Sequence, residues 1–292
     1  MDYLNKFEAY LEKEKNVSST TLSAYMADLA EFEVFIKERS KVLEKAGNAD
    51  VAAFLMNLQH QGRSNSTINR KLASVRSFYT YMISDGRVNH DPTFNIKPPK
   101  VVRKELEFLS VDEINKLLDA PDDSVRGLRD KALLELMYAT GLRASEICDA
   151  NVDDIDFRIG YINVKSDKKP RVVPIGKPAR AALKVYLEKS RKELLEEKED
   201  SKALFLSYLG DRLTRQGIWK ILKFYSDKLE FKHKLSPQLI RNSFAAHLIQ
   251  NGADLKSLQE LLGHEDIMAT KIYLSVSKNR IMDVYDRAFP RA

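Results

Sequence analysis

S-P-Q-L-I-R-N-S-F-A-A-H-L-I-Q-N-G, residues 236–252, opens the stretch from Ser236 to Tyr273 around which the chain is organised. Ser236 is a typical helix N-cap and Pro237 suits the first helical position, whereas Asn251 and Gly252 indicate the end of the helix. Three apolar side chains return at helical spacing and predict the buried side, namely Phe244, Ala245 and Leu248.

Arg241 lies one helical turn before Phe244, at the edge of the predicted buried stripe. A buried charge needs a partner, and this stretch offers no carboxylate beside the arginine. An anionic ligand is one way to supply that partner. Further along the chain, His264 follows a second short helix and Tyr273 lies in a third. An arginine, a histidine and a tyrosine on short helices form a candidate site for phosphate chemistry.

Composition indicates a globular protein of two domains, because 292 residues exceed one ordinary core. The net charge of +6 fits a nucleic-acid partner without establishing one. No apolar run is long enough to span a bilayer, and M-D-Y-L-N-K does not resemble a signal peptide, so a cytoplasmic location is expected. The single cysteine, Cys148, excludes an intramolecular disulfide and a cysteine-clustered zinc site.

The first domain is expected to contain helices only. Its basic stretch between Arg63 and Arg87 includes a helix whose apolar side carries Ile68, Leu72, Val75 and Tyr79. This pattern places Arg70 and Lys71 elsewhere on the surface of that helix. Residues 89–108 contain prolines and basic residues, and they predict an extended linker.

The second domain is expected to begin at Leu109, where Ser110 and Glu113 form a capping box. Helices follow, and then an alternating pattern over residues 155–175 predicts three short strands. The second turn between these strands carries a cluster of lysines: Lys165, Lys168 and Lys169. From Ala179 onward the pattern returns to helix.

Several motifs occur in an order that resembles the tyrosine recombinases. They are A-T-G-L-R-A-S-E-I (139–147), a lysine-bearing hairpin ending R-V-V-P-I (171–175), P-x-x-x-R-x-S-F-A-x-H-L (237–248), L-L-G-H (261–264) and a later tyrosine. The likeness covers essentially the whole chain, and the final F-P-R-A is similar to the ending of XerC/XerD-type members.

The resemblance implies a mainly α fold that closes on DNA as a C-shaped clamp. Residues 1–88 are similar to the family's helical core-binding, SAM-like domain, and residues 89–108 to its linker. Residues 109–292 resemble an α+β catalytic domain with a small three-stranded antiparallel sheet and a C-terminal tail.

The resemblance also implies the catalytic residues. Arg143 matches the family's first arginine, Arg241 its second, His264 the histidine of L-L-G-H and Tyr273 the nucleophile. For the hairpin lysine the likeness favours Lys168, with Lys165 as the second candidate. The chain departs from the family at Gln238, which stands where a catalytic histidine is usual, and Asn242 replaces a second histidine.

These residue types suit transesterification of a DNA phosphodiester. Arginine forks match the non-bridging phosphate oxygens, a tyrosine can form a 3′-phosphotyrosine, and a lysine can protonate the leaving 5′ oxygen. Gln238 can donate a hydrogen bond to phosphate but cannot exchange a proton near neutral pH. Because the ester keeps the bond energy, no cofactor is expected, neither a metal ion nor ATP.

The family likeness further implies partners and a role. Duplex DNA would be contacted by Arg63, Arg70, Lys71 and Arg76. A homo- or hetero-tetramer with a sister recombinase, joined through the tail at 281–292, would resolve chromosome dimers at a dif-like site, with an FtsK-type translocase as a further partner. The alternatives are a mobile-element integrase and a catalytically weak DNA-binding accessory subunit.

Simpler interpretations stand beside these assignments. Arg143 could pair with Glu146 three residues on, His264 could favour a helix C-terminus, and Lys168 could be an ordinary exposed lysine. His247 is expected to be structural, and Trp219 is expected to be a packing residue.

Overall fold

The computed structural model of this chain describes residues 2–101, 105–165, 170–195, 201–264 and 269–273, and the chain divides into two compact units, residues 1–104 and 105–292. The elements within the described ranges are α1 Asp2–Lys13, α2 Ser19–Glu38, α3 Asn48–His60, α4 Asn65–Ser84, α5 Val111–Asp119, α6 Val125–Thr140, α7 Ala144–Asp149, β1 Ile155–Asp156, β2 Tyr161–Val164, β3 Arg171–Pro174, α8 Lys177–Val185, α9 Arg191–Leu195, α10 Arg215–Lys228, α11 Pro237–Gln250 and α12 Leu255–Leu262. A π-helical turn, Tyr186–Ser190, joins α8 to α9, and Tyr273 closes a 3₁₀ turn, Lys271–Tyr273. None of the described helices is long and apolar enough to cross a membrane.

The regular elements among the described residues of the first unit are all helices, as the amphipathic spacing predicts. Ser18 and Ser64 cap α2 and α4 by accepting main-chain hydrogen bonds from residues three positions on. The core lies between α1, α2, α3 and α4 and is rich in aromatic rings, including Phe7, Phe32, Phe54 and Phe78. Edge-to-face packing, as between Phe7 and Phe78, fixes these helices against one another.

Lys71 does not lie on the surface, and that expectation is wrong. Its side chain is buried, and its ammonium group pairs with Asp28 and with Glu31, each at 2.8 Å. Asp28, on α2, is 1% exposed and also accepts hydrogen bonds from Arg70 and Ser74. A buried carboxylate on the neighbouring helix therefore draws Lys71 inward, because the two charges neutralise each other away from water.

The chain after α4 folds back along that helix. Asn65 and Asn69 donate side-chain hydrogen bonds to the carbonyls of Lys100 and Pro99, at 2.9 and 3.1 Å. The Arg76 guanidinium likewise donates to the carbonyl of Ile96. Residues 96–100 are thus held to α4 by its polar side chains.

The second unit contains the predicted three-stranded antiparallel sheet, with strand order β1-β2-β3. Ile162 of β2 pairs with Val173 of β3, and both side chains point into the core. The predicted capping box of α5 is also present. Glu113 donates its main-chain N–H to the Ser110 hydroxyl at 3.2 Å, and the Glu113 carboxylate accepts from the Ser110 main chain at 2.8 Å.

Two expectations for the region after Ala179 are wrong. Residues 201–214 are not helical; single antiparallel bridges pair Ala203 with Asn151 and Leu206 with Arg212. Trp219 is 51% exposed, because α10 turns Ile218 and Leu222 into the core instead. The large ring of Trp219 therefore lies on the solvent side of α10.

Helix α11 begins and ends where its sequence predicts. The Ser236 hydroxyl accepts the Leu239 N–H at 3.0 Å, Pro237 is the first helical residue and Asn251 follows the last. His247 is buried and its Nδ1 lies 2.9 Å from the Tyr138 hydroxyl, which agrees with a structural role.

Gly141 is a position where the backbone requires glycine. It ends α6 in the left-handed conformation, with φ of 59°, and a Cβ there would lie 2.3 Å from Cδ1 of Phe244. We expect Gly141→Ala to lower the free energy of unfolding of the second unit by roughly 1–3 kcal/mol, from backbone strain and the clash. Urea unfolding followed by circular dichroism measures this loss.

Gly160→Ala is the matched control. Gly160 also has a positive φ, of 88°, but the nearest atoms belong to the end of the Arg180 side chain, which can move. Equal losses for the two variants would contradict the role assigned to the Phe244 contact.

Candidate active site

Arg241 is the centre of the site and is 4% exposed. Its guanidinium donates to the carbonyls of Gly141 and Leu262, the latter at 2.7 Å. Among the described residues no carboxylate is hydrogen bonded to it. Burial, together with the nearby charge of Arg143, lowers the pKa of Arg241 to about 10, so it remains a cation at neutral pH. The site thus holds a buried positive charge that an anion can neutralise.

His264 lies beside that charge, just after the left-handed Gly263 that ends α12. Its Nε2 is 3.1 Å from Nη2 of Arg241, and its Nδ1 is 2.8 Å from the Thr270 hydroxyl. Since arginine can only donate, Nε2 is the acceptor and Nδ1 carries the proton. Burial and the charge of Arg241 lower the pKa of His264 to about 4, so the ring is neutral at physiological pH.

Arg143 precedes α7 and faces solvent, with 42% of its side chain exposed. Its Nη1 donates to Oε1 of Glu146 at 2.9 Å, and its Nη2 donates to the Gly263 carbonyl at 3.1 Å. The pairing with Glu146 is therefore real, and it also orients the arginine toward α12. The two interpretations of Arg143 do not exclude each other.

Gln238, Asn242 and Tyr273 form the other side of the site. Oδ1 of Asn242 accepts from Nε2 of Gln238 at 2.8 Å and from the Tyr273 hydroxyl at 3.2 Å. Tyr273 is 1% exposed, and burial raises its pKa although Arg241 opposes the shift. In this arrangement Tyr273 is a neutral phenol held by an amide that cannot take its proton.

The two candidates for the hairpin lysine are Lys168 and Lys165. Lys168 lies outside the described residues. Lys165 directly follows β2, and its ammonium group pairs with Asp154 at 2.6 Å. The Asp154 side chain is 7% exposed, so Lys165 is held by a nearly buried carboxylate.

Two residues that contact the site were not assigned to it from the sequence, Arg171 and Asn242. Arg171 binds both carboxylate oxygens of Glu146, at 2.7 and 2.9 Å, and also the carbonyl of Leu261. The motif R-V-V-P-I could have indicated Arg171, since an arginine begins an otherwise apolar strand. Asn242 was noticed only as a departure from the family pattern.

The basic residues predicted to contact DNA have different surroundings in the first unit. Arg63 is exposed. Arg70 is also exposed, although it pairs with Asp28, whereas Lys71 is buried. Arg76 is partly buried against the Ile96 carbonyl.

The structure gathers five of the predicted site residues in one place: Arg143, Gln238, Arg241, His264 and Tyr273. Two cations, a neutral imidazole and a phenol suit the binding of a phosphodiester and an attack on it by oxygen. The helical first unit and this site in the second unit are the features that the resemblance to the tyrosine recombinases predicts.

Comparisons with known proteins identify the family. The model of the phage integrase family matches residues 107–280, and that of the phage integrase N-terminal SAM-like domain matches residues 4–86. The tyrosine recombinase XerD of Listeria innocua is 40% identical over 297 residues, covering 100% of this chain and 99% of that protein.

Solved structures agree in fold. The XerA recombinase has 25% identity and a TM-score of 0.56, and the match covers 100% of this chain and 99% of that one. XerH recombinase bound to a palindromic difH substrate has 20% identity and a TM-score of 0.76, over 96% of this chain and 83% of that one. The chain belongs to the phage integrase family, as a tyrosine recombinase of the XerC/XerD type. It is therefore a site-specific DNA recombinase, and the resemblance seen in its motifs is confirmed.

The depressed pKa of His264 predicts a pH dependence of stability. In the unfolded chain its pKa returns toward 6.5, so between about pH 6.5 and pH 4 the unfolded state binds more protons than the folded state. Stability should therefore fall as the pH is lowered through this window. We expect the free energy of unfolding of His264→Gln to fall less between pH 7 and pH 5 than that of the wild type. Urea unfolding at the two pH values measures this difference.

The exposed His233, changed to glutamine, serves as the control for removing a histidine from the same unit. An unchanged difference between the two pH values in His264→Gln would contradict a neutral, half-buried His264.

Proposed function

We propose that this recombinase cuts and rejoins duplex DNA through a 3′-phosphotyrosine at Tyr273. The observation that carries the proposal is the buried guanidinium of Arg241, which is satisfied by carbonyls and has no hydrogen-bonded carboxylate among the described residues. A scissile phosphate would supply the missing negative charge. Arg143, which is exposed next to it, would bind the same phosphate from the solvent side.

Each step of the proposed reaction is assigned to a residue. The Tyr273 oxygen attacks the phosphorus, the bond from phosphorus to the 5′ oxygen breaks, and Lys168 gives that oxygen its proton. Arg143 and Arg241 neutralise the charge that grows on the non-bridging oxygens. The ester conserves the bond energy, so attack by a 5′ hydroxyl reverses the step without ATP or a metal ion.

Gln238 affects the first step, the attack of the Tyr273 oxygen on phosphorus. It lies one helical turn before Arg241 and can donate a hydrogen bond to the same phosphate. It cannot receive the phenol proton, which must therefore pass to solvent. We expect a slow but competent enzyme whose cleavage rate rises with pH, because the pKa of Tyr273 is raised by burial.

We assign the three regions as the likeness implies: residues 1–88 bind DNA, residues 89–108 link, and residues 109–292 catalyse. Arg63, Arg70 and Arg76 are the proposed DNA contacts of the first unit. Lys71, being buried, is assigned instead to holding Asp28, which in turn orients Arg70. The exposed Trp219 lies among exposed basic residues of α10 and offers a further DNA contact.

The proposed role is the resolution of chromosome dimers at a dif-like site. Support comes from full-length similarity to XerD recombinases and from the fold shared with XerH, whose structure was solved on a difH substrate. The active assembly would be a tetramer with itself or a sister recombinase, joined through residues 281–292, which lie outside the described residues. An FtsK-type translocase would control it, and the reaction would take place in the cytoplasm.

Two alternatives are kept. A mobile-element integrase would use the same chemistry on other DNA ends, and the fold shared with the Tn1549 transposon integrase fits it equally well. An accessory subunit that binds DNA but cuts poorly is motivated by Gln238. The tests below separate the last case from an enzyme.

Tyr273→Phe removes the proposed nucleophile and leaves the ring. We expect the wild type to form a covalent adduct with a nicked suicide substrate, seen on denaturing gels, and the variant to form none. DNA affinity should stay within about twofold, since phosphate contacts dominate binding. Failure of the wild type to form any adduct would favour the accessory subunit.

Gln238→His tests whether the missing histidine limits the rate. We expect the single-turnover cleavage rate at pH 7 to rise by up to about 10²-fold, because a general base is restored. The rate should also depend less on pH than in the wild type. Gln238→Ala is the control, and an unchanged rate in Gln238→His would show that the amide already performs the role by hydrogen bonding.

A further inference from the structure

Arg171 is the first residue of β3, and its side chain is almost fully covered by the protein. We propose that it is a positioning residue that sets the orientation of Arg143, acting through the carboxylate of Glu146. This inference rests on the proposed function, because its readout is DNA cleavage. Four observations on hydrogen bonding, exposure and charge carry it.

The first observation is that two arginines share one carboxylate. Oε1 of Glu146 accepts from Nη1 of Arg143 at 2.9 Å and from Nη1 of Arg171 at 2.7 Å. Oε2 accepts from the main-chain N–H of Arg143 at 2.7 Å and from Nη2 of Arg171 at 2.9 Å. Four donors use the full acceptor capacity of the carboxylate, so its plane is fixed.

The second observation is that the two arginines differ in exposure. The Arg171 side chain is 8% exposed, whereas that of Arg143 is 42% exposed. Arg171 therefore holds the inner side of Glu146, and Arg143 takes the side open to solvent. The bidentate fork of Arg171 decides which way the carboxylate faces.

The third observation ties the same arginine to α12. Nε of Arg171 donates to the Leu261 carbonyl at 2.8 Å, and Nη2 of Arg143 donates to the Gly263 carbonyl at 3.1 Å. A Cβ on Gly263 would lie 2.7 Å from Nη1 of Arg171. A closed ring of contacts thus joins Arg171, Glu146, Arg143 and the end of α12. His264 directly follows this end of the helix.

The fourth observation separates Arg171 from the residues that would touch phosphate. Its three nitrogens all donate to Glu146 or to Leu261, inside the protein. Burial would raise the pKa of Glu146, but the hydrogen bonds from Arg171 and from the Arg143 main chain hold it below its usual value. Glu146 is therefore ionised at neutral pH, as this bracing requires.

Removing Arg171 should cost rate and leave binding nearly intact. Without the fork, Glu146 is free to rotate and the long Arg143 side chain loses its fixed direction. We expect Arg171→Met to slow single-turnover cleavage of a suicide substrate by about 10²-fold, the effect of a small misplacement of a catalytic group. DNA affinity, measured by fluorescence anisotropy, should change by less than about threefold because phosphate contacts elsewhere dominate it.

Two further variants make the test specific. Arg171→Lys keeps the charge but cannot bind both oxygens and Leu261 together, so its rate should stay nearer to that of Arg171→Met. Arg191→Met is the matched control, because Arg191 also donates to main-chain carbonyls, those of Ser201 and Ala203, and touches none of the site residues. All rates are measured well below the melting temperature of each variant.

Modified substrates identify the step that Arg171 supports. A neutral methylphosphonate at the scissile position reduces the need for a cation, so it should shrink the defect of Arg171→Met. A 5′-bridging sulfur leaves without protonation and should not shrink it. Rescue by sulfur would overturn the inference, because Arg171 would then act on the leaving-group acid of the hairpin.

A wild-type rate in Arg171→Met, or a loss equal to that of Arg191→Met, would also overturn it. These outcomes differ from a failure of the proposed function, in which the wild type itself forms no adduct.

Discussion

The buried guanidinium of Arg241 is the interaction on which the site depends. A charge at that depth is stable only if its donors are satisfied, and the protein satisfies them with the carbonyls of Gly141 and Leu262. Both carbonyls lie at helix C-termini, where main-chain acceptors have no partner within the helix and carry partial negative charge. The ends of α6 and α12 are therefore fixed around α11 by one side chain.

The charge balance around this arginine explains the states of its neighbours. Three arginines, Arg143, Arg171 and Arg241, lie near the ionised carboxylate of Glu146, and burial together with the charge of Arg241 keeps His264 neutral. Burial keeps Tyr273 protonated even though Arg241 favours its ionisation. Under the proposed function, such a site would be arranged in advance for the scissile phosphate, because its cations are already oriented and little reorganisation would remain for the reaction.

Much of this could be predicted from the sequence, because the relevant signals are local. The cap at Ser236, the capping box at Ser110 and the alternation that forms the sheet all depend on residues within a few positions of one another. The errors concern neighbours from elsewhere in the chain. A helical period shows that Lys71 and Trp219 lie outside the apolar stripe of their own helices. It cannot show that Lys71 is buried against Asp28 whereas Trp219 faces water.

The sequence by itself determined the class of chemistry, since side-chain identity and order are enough to match Arg143, Arg241, His264 and Tyr273 to a family. Tertiary structure alone decided how these residues are held. The two arginines are held by the main-chain carbonyls of Gly141, Leu262 and Gly263, and every residue has a carbonyl. A sequence cannot mark which ones are free, because that depends on where each helix ends and which distant side chain reaches it.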